Sequence, residues 1–222
     1  MSAKEFKKND FSLRDCGTMA YFQTLNMQLE LVGQRQQGRI CNTVLLVEHP
    51  PVITLGARKT ENVVLASSET LKKKQIDMVA VRRGGGTTAH NPGQIVVYPI
   101  IDLRSLALGV NEYIRELEAV GIELLAEFGI TAQRRKALPG LWVEEKKIGS
   151  IGVKIKRHVS YHGMAINISN DLSIFDLIVP CGLKGVQITN VAEKTGREVA
   201  MSEVKELLGG ILRKHFAKEV QP

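Results

Sequence analysis

The chain has 222 residues, 44% of them hydrophobic and 24% charged, with a formal net charge of +7. Such a chain can bury a substantial core, and no apolar run approaches the roughly 18 residues that span a bilayer. Only 5% of residues are aromatic, and none interleaves the basic runs Lys72-Lys73-Lys74, Arg134-Arg135-Lys136 and Lys154-Ile155-Lys156-Arg157-His158. A stacking platform for single-stranded nucleic acid is therefore not expected. Most of these runs read as solvated faces, and a further option is an acidic protein partner drawn in by long-range attraction.

The N-terminal stretch MSAKEFKKNDFSLRDCG is polar and lacks the apolar core of a signal peptide. Three cysteines, Cys16, Cys41 and Cys181, form no CxxC pair and no metal-type spacing with histidine. A cytoplasmic protein is expected, without a membrane segment, a structural zinc or a bound cofactor. No repeat, low-complexity segment or linker divides the sequence, so a single domain over residues 1–222 is expected.

The chain reads first as a helix from about Thr18 to Gln37, with Tyr21, Leu25, Leu29 and Val32 at three- and four-residue spacing. Thr43–Val47 reads as a buried strand closed by His49-Pro50-Pro51. Val52–Leu55, Met78–Val81 and Ile95–Ile101 read as further strands. A strong helix follows from Val110 to Phe128, with Val110, Ile114, Leu117, Gly121, Leu124, Leu125 and Phe128 on one face and Gly129 as its stop. Leu141–Glu144 is a strand. Lys147–Lys156 and Val159–Ser169 pair as a hairpin through Lys156-Arg157-His158. A last helix runs from Ser202, read as its N-cap, to Phe216. Strands with helices at irregular intervals give an α+β fold with a mixed or antiparallel sheet, rather than a doubly wound one.

The residues suited to chemistry concentrate in a few places. Cys181 lies in Val179-Pro180-Cys181-Gly182, a restrained backbone before the thiol and a free one after it, which suits a thiol projecting from a turn. A thiol attacks as the thiolate, so a nearby base matters. Lys147, 34 residues upstream, opens Lys147-Ile148-Gly149-Ser150-Ile151-Gly152 and can shuttle a proton when burial favours its neutral amine. Against this, a free cysteine is commonly a small buried hydrophobe. The segment from Arg82 to Gln94, with Gly84, Gly85 and Gly86, allows close backbone approach to a ligand. It is neither a P-loop, for no Gly-Lys-Ser/Thr follows, nor a dinucleotide fingerprint, for no helix opens after it. His49, His90 and His162 each sit at a strand end or a turn and read first as structural histidines, without close-spaced metal ligands.

Taken in order, five blocks resemble the lipoyl(octanoyl) transferases, which are related in fold to biotin and lipoate protein ligases. They are Leu46–Gly56, Arg83–Gln94 with Tyr98-Pro99, Lys147–Val153, Tyr161–Asn167 and Pro180–Gly182. The resemblance implies transfer of an octanoyl group from acyl carrier protein to a cysteine, then to a lysine of lipoyl domains. Those domains belong to 2-oxoacid dehydrogenases and the glycine cleavage H protein. It implies Cys181 as acyl-thioester nucleophile and Lys147 as its activator. It implies three substrate-binding stretches: Arg83, Gly84, Gly85, Gly86, Thr87, Thr88, Ala89 and His90; Ser150, Ile151 and Gly152; and Gly163, Met164 and Ala165. His49 and His162 would support them. The family commonly reads Gly-Gly-Gln-Val-Thr-Tyr-His-Gly-Pro-Gly-Gln where this chain places Gly86, Thr87, Ala89 and Asn91. The lost Gln and Tyr are expected to remove polar and aromatic wall from the acyl pocket. The competing readings are an ATP-dependent lipoate or biotin ligase of the same fold, a non-catalytic binder of carrier or lipoyl domains, and a basic nucleic-acid module.

Overall fold

The apolar segment of residues 43–47 lies one strand in from the edge of a sheet covered on both faces. In this computed structural model, which describes residues 11–136 and 138–217, the elements run in this order: β1 (Phe11–Thr18), α1 (Tyr21–Gln36), β2 (Asn42–Glu48), β3 (Val52–Leu55), β4 (Val63–Val64), α2 (Ser68–Lys73), β5 (Asp77–Ala80), β6 (Thr88–His90), β7 (Gln94–Ile100), α3 (Val110–Glu127), β8 (Gln133–Arg135), β9 (Leu138–Val143), β10 (Lys146–Lys156), β11 (Val159–Asn167), β12 (Ile178–Val179), α4 (Val191–Thr195) and α5 (Met201–Phe216). The large sheet has the order β1-β2-β7-β11-β10-β9-β8. Only β1 and β2 are parallel; the other neighbours are antiparallel. A small sheet β5-β3-β6 and a short β12-β4 ladder stand beside it. The α+β class expected from the sequence is the one observed.

Side-chain alternation divides the core. Val44, Leu46, Ile95, Val97 and Ile166 face Leu117, Leu124 and Leu125 of α3 and Leu208, Leu212 and Phe216 of α5. Leu45, Val47, Val96 and Tyr98 face Leu31 and Val32 of α1. Both faces are apolar, so β2 reads as a continuous run rather than an alternating one. Each fully buried leucine contributes about 1.5–3 kcal/mol through its removal from water.

Several expectations need correcting. The first helix begins at Tyr21, and its inner face carries Thr24, Gln28 and Leu31 while Leu29 is 42% exposed. Gln28 is drawn in because its side-chain oxygen accepts the backbone N–H of His162 at 2.8 Å. α5 begins at Met201, so Ser202 is its second residue and Ala200 occupies the cap position without a side-chain bond. β1 was not foreseen. It is half-exposed along much of its length and gains its strand conformation from pairing with β2. In α3, Tyr113 and Val120 join the core, while Val110 is 50% exposed and turns with Ile114 toward a cavity. The run Arg134-Arg135-Lys136 lies largely on edge strand β8. There Arg134 pairs with Glu118 at 3.2 Å, and Arg135 pairs with Glu145 and packs 4.4 Å over the Trp142 ring.

Candidate active site

The β10–β11 hairpin sets one wall of the site. Its register places Ser150 opposite Ala165, Ile151 opposite Met164 and Gly152 opposite Gly163. Two stretches separate in sequence are thus cross-strand partners. The loop after β5 closes over them, with the Gly84 N–H donating to the Val153 carbonyl at 2.9 Å. Together they enclose a slot of about 30 Å³ lined by Arg83, Gly84, Gly85, Thr88, His90, Ser150, Ile151, Gly152, Gly163, Met164 and Ala165. Tyr21, Val96, Tyr98, His162 and Cys181 complete the lining. A wider chamber of about 260 Å³ meets the slot at Cys181. Its walls include Val110, Ile114, Leu138, Leu183 and Lys147, with Arg58 and Glu61 also lining it.

Cys181 sits in a tight turn, Pro180–Gly182, with φ 53° and ψ 25°. This left-handed conformation is strained for a residue with a Cβ, by roughly 1–3 kcal/mol. The Cys181 N–H, donating to the Thr87 carbonyl at 2.8 Å, holds the turn against β6. Lys147, on β10, is 3% exposed, and its Nζ donates to Cys181 Sγ at 3.6 Å. Its backbone anchors the segment that follows the cysteine turn: Lys147 N–H donates to the Gln187 carbonyl and Thr189 N–H to the Lys147 carbonyl. The β10–β9 register shifts between Lys147 and Gly149, and Gly140 of β9 clears the space for the lysine stem. A Cβ there would come within 2.9 Å of Lys147 Cε.

Arg83 is 6% exposed. Its Nη2 donates to the Thr54 carbonyl and hydroxyl, and its Nη1 to the Gly84 carbonyl, at 2.7–3.0 Å. Among the described residues neither Arg83 nor Lys147 forms an ion pair with a carboxylate.

Behind the slot lies a buried aromatic cluster of Tyr21, His49, His90 and Tyr98, with ring centroids 5.1–5.8 Å apart. His162 joins it through its Nδ1, 3.4 Å from the Tyr21 hydroxyl. The hydrogen bonds fix two tautomers. Gln94 Nε2 donates to the Ala89 carbonyl and Asn167 Oδ1, so its oxygen faces His90 and His90 Nδ1 is the donor. His49 Nδ1 donates to the Met19 carbonyl, and its Nε2 accepts the Tyr98 hydroxyl at 2.7 Å. Burial pushes His49 down to about 4, and His90 and His162 down to about 3. Burial also raises Tyr21 to about 12 and Tyr98 well above the usual phenol value. The cluster is neutral near pH 7.

The structure thus brings Cys181 and Lys147 together with all three predicted stretches. Within Arg83–His90, however, Gly86, Thr87 and Ala89 do not line the slot. The expectation that the Gln and Tyr departures strip wall from the pocket is corrected. Ala89 faces Ile53, Leu71, Ile174 and Phe175 on the far side of β6, and a Cβ at Gly86 would lie 2.5 Å from Glu61. Asn91 accepts from Asn170 Nδ2 and donates to the Asp171 carbonyl, tying the loop to the end of β11. His49 stands behind Tyr98 and His162 lines the slot. Tyr21 and Val96 had no distinguishing signal in the sequence, for each reads as an ordinary core residue of a helix or strand. Tyr98 stood in the recognised Tyr98-Pro99 pair without an assigned role. Among the described residues no group of histidine, cysteine or carboxylate side chains is placed to hold a metal.

The fold is that of the enzymes that attach lipoate and biotin to proteins. A putative lipoate protein ligase from T. acidophilum, solved with bound lipoic acid, superposes with a TM-score of 0.69 over 93% of this chain and 86% of its own, at 17% identity. A biotin protein ligase from Aquifex aeolicus does so with 0.51 over 95% and 72%, at 14% identity. The lipoyl protein ligase A/B catalytic domain matches residues 20–212. An octanoyltransferase of Acidobacterium capsulatum is 44% identical over 87% of this chain and 84% of its own length. Another, of Syntrophobacter fumaroxidans, is 41% identical over 94% and 92%. The chain belongs to the lipoyl protein ligase A/B catalytic-domain family and, within it, to the octanoyltransferases.

Proposed function

We propose that Cys181 and Lys147 carry out octanoyl transfer in two stages, from octanoyl-acyl carrier protein to Cys181 and from Cys181 to the ε-amine of a lipoyl-domain lysine. Family membership makes the protein an acyltransferase. The observation that supports this pair is the 3.6 Å contact between Lys147 Nζ and Cys181 Sγ, with the amine buried and, among the described residues, in no ion pair with a carboxylate. A buried lysine that is not ion-paired is costly unless its proton is used.

In the first stage Lys147 takes the Cys181 thiol proton as the sulfur attacks the thioester carbonyl. Collapse of the adduct breaks the carbon–sulfur bond to the carrier, and its departing thiolate receives the proton from Lys147. Thioester exchange is nearly balanced, so no ATP is required. In the second stage the acceptor amine attacks the Cys181 thioester and loses a proton to Lys147. The Cys181 thiolate leaves and is reprotonated, and amide formation makes the stage downhill. The slot, walled by Ile151, Met164, Val96 and Ala165, takes the acyl chain. The wider chamber takes the arm that delivers the thioester or the lysine. The slot is narrow beside the roughly 150 Å³ needed for a benzene ring, so the Met164 and Ile151 side chains must rotate as eight carbons enter. Acidic carrier and lipoyl domains suit the +7 charge, and association should slow as salt rises.

The test is the intact mass of the protein after mixing with octanoyl-acyl carrier protein in the absence of ATP, followed by peptide mapping. An octanoyl adduct on Cys181 that a lipoyl domain discharges supports the transferase, and Cys181→Ala should show no adduct. Modification of the lipoyl domain only with ATP and free acid would establish a ligase instead.

A further inference from the structure

We propose that Arg83 is the fixed positive charge of the site, a positioning residue that favours negative charge at Cys181 through space while Lys147 moves the proton. The inference rests on Cys181 being the nucleophile. The guanidinium is buried, and its three hydrogen bonds go to neutral acceptors: the Thr54 carbonyl and hydroxyl and the Gly84 carbonyl. Its Nε is buried with no partner, and no carboxylate pairs with it among the described residues. Burying a cation in this way is unfavourable unless an anion forms in its field. Arg83 and Cys181 line one slot, together with Tyr21 and Tyr98.

The other titratable groups around Cys181 leave that field standing. Tyr21, Tyr98, His49, His90 and His162 are neutral near pH 7 for the reason given above. Arg58 and Glu61 line the chamber but bind each other at 2.9 Å and largely cancel. Lys147 gains a charge only as Cys181 loses one, so their pair sums to zero during proton transfer. A guanidinium does not deprotonate. Arg83 is therefore the permanent charge toward which the sulfur's negative charge develops, and it persists when that charge passes to the thioester oxygen.

The test compares alkylation of Cys181, resolved from Cys16 and Cys41 by peptide mapping, by anionic iodoacetate and by neutral iodoacetamide. A fixed cation draws the anionic reagent, so the ratio of the two rates reads the field rather than the packing. Arg83→Gln keeps hydrogen-bond donors and removes the charge, and should lower the ratio roughly three- to tenfold. Arg83→Lys should restore most of it. An unchanged ratio in a folded Arg83→Gln protein would overturn the proposal and leave Arg83 as a brace for Thr54 and Gly84. If Arg83→Gln does not fold, Lys147→Met decides. With Arg83 intact its ratio should stay above that of N-acetylcysteinamide, a thiol without a charge of its own, and a ratio equal to the free thiol's would overturn the proposal. Octanoyl transfer that survived complete alkylation of Cys181 would instead overturn the assignment of the nucleophile, an outcome distinct from a failed ratio.

Discussion

Two regions of the molecule treat charge in opposite ways. Where α3 and α5 meet solvent, His215 lies between Glu116 and Glu123 at 2.7 and 3.0 Å, and Lys214 bonds the same Glu123 at 2.7 Å. At the other end of α5, Arg197 meets Glu203. At the slot, Lys147 and Arg83 are buried and, among the described residues, in no ion pair with a carboxylate, beside three neutral histidines. The first arrangement is what a scaffold needs: exposed pairs of small individual value. The second costs stability and persists because the charges act on a reaction. The difference teaches where to expect function without any knowledge of the substrate, since buried basic side chains without an ion partner are what folding alone would remove.

The sharpest way to break the contrast is Lys147→Met, which replaces a buried amine with an apolar side chain of similar length. Acyl-enzyme formation should fall by about 10²–10⁴-fold, while the protein should melt at the same or a higher temperature. A near-normal acylation rate would remove Lys147 from the mechanism.

The neutral histidines sharpen it further through pH. Their folded values, about 3–4, lie below the 6.5 of a free imidazole. Between those limits the unfolded chain binds more protons than the folded one, so stability falls as pH falls from 6.5 toward 4. The slope is up to about 1.4 kcal/mol per pH unit for each histidine. Urea midpoints measured across that range should show the fall. A flat profile would mean that the cluster accepts protons without opening.

Gly86→Gln, which installs the residue common in the family, should destabilise by about 1–3 kcal/mol, because its Cβ meets the backbone of Glu61. Denaturant unfolding would show this. The effect should spread to Cys181 acylation, because Gly182 packs against the same glutamate. The smallest effect belongs to the scaffold. Lys214→Ala should cost under about 1 kcal/mol and leave acylation rates unchanged in the same mass assay.

Much of this was legible in the chain. Cys181 and Lys147 stood in local contexts that announced a projecting thiol and a lysine at the start of a strand. The hairpin pairing of Lys147–Lys156 with Val159–Ser169 was readable from alternation. Helix α3 was readable too, for its apolar period is strong and local. The inner face of α1 was not, because Gln28 is held inside by the backbone of His162, a partner 134 residues away. The charge state of the histidine cluster was likewise invisible, since it depends on burial that five separate segments create together.

By itself the sequence determined the class of fold, the thiol and amine available for chemistry, and the glycines that let strands approach, because these follow from local pattern and residue type. Only the tertiary structure decided that Lys147 and Arg83 are buried without an ion pair among the described residues, that Ala89 turns away from the slot, and that Cys181 stands between two cavities. Those properties are set by what packs around a side chain in three dimensions. The desolvation and electrostatic fields they create come from residues far apart along the chain.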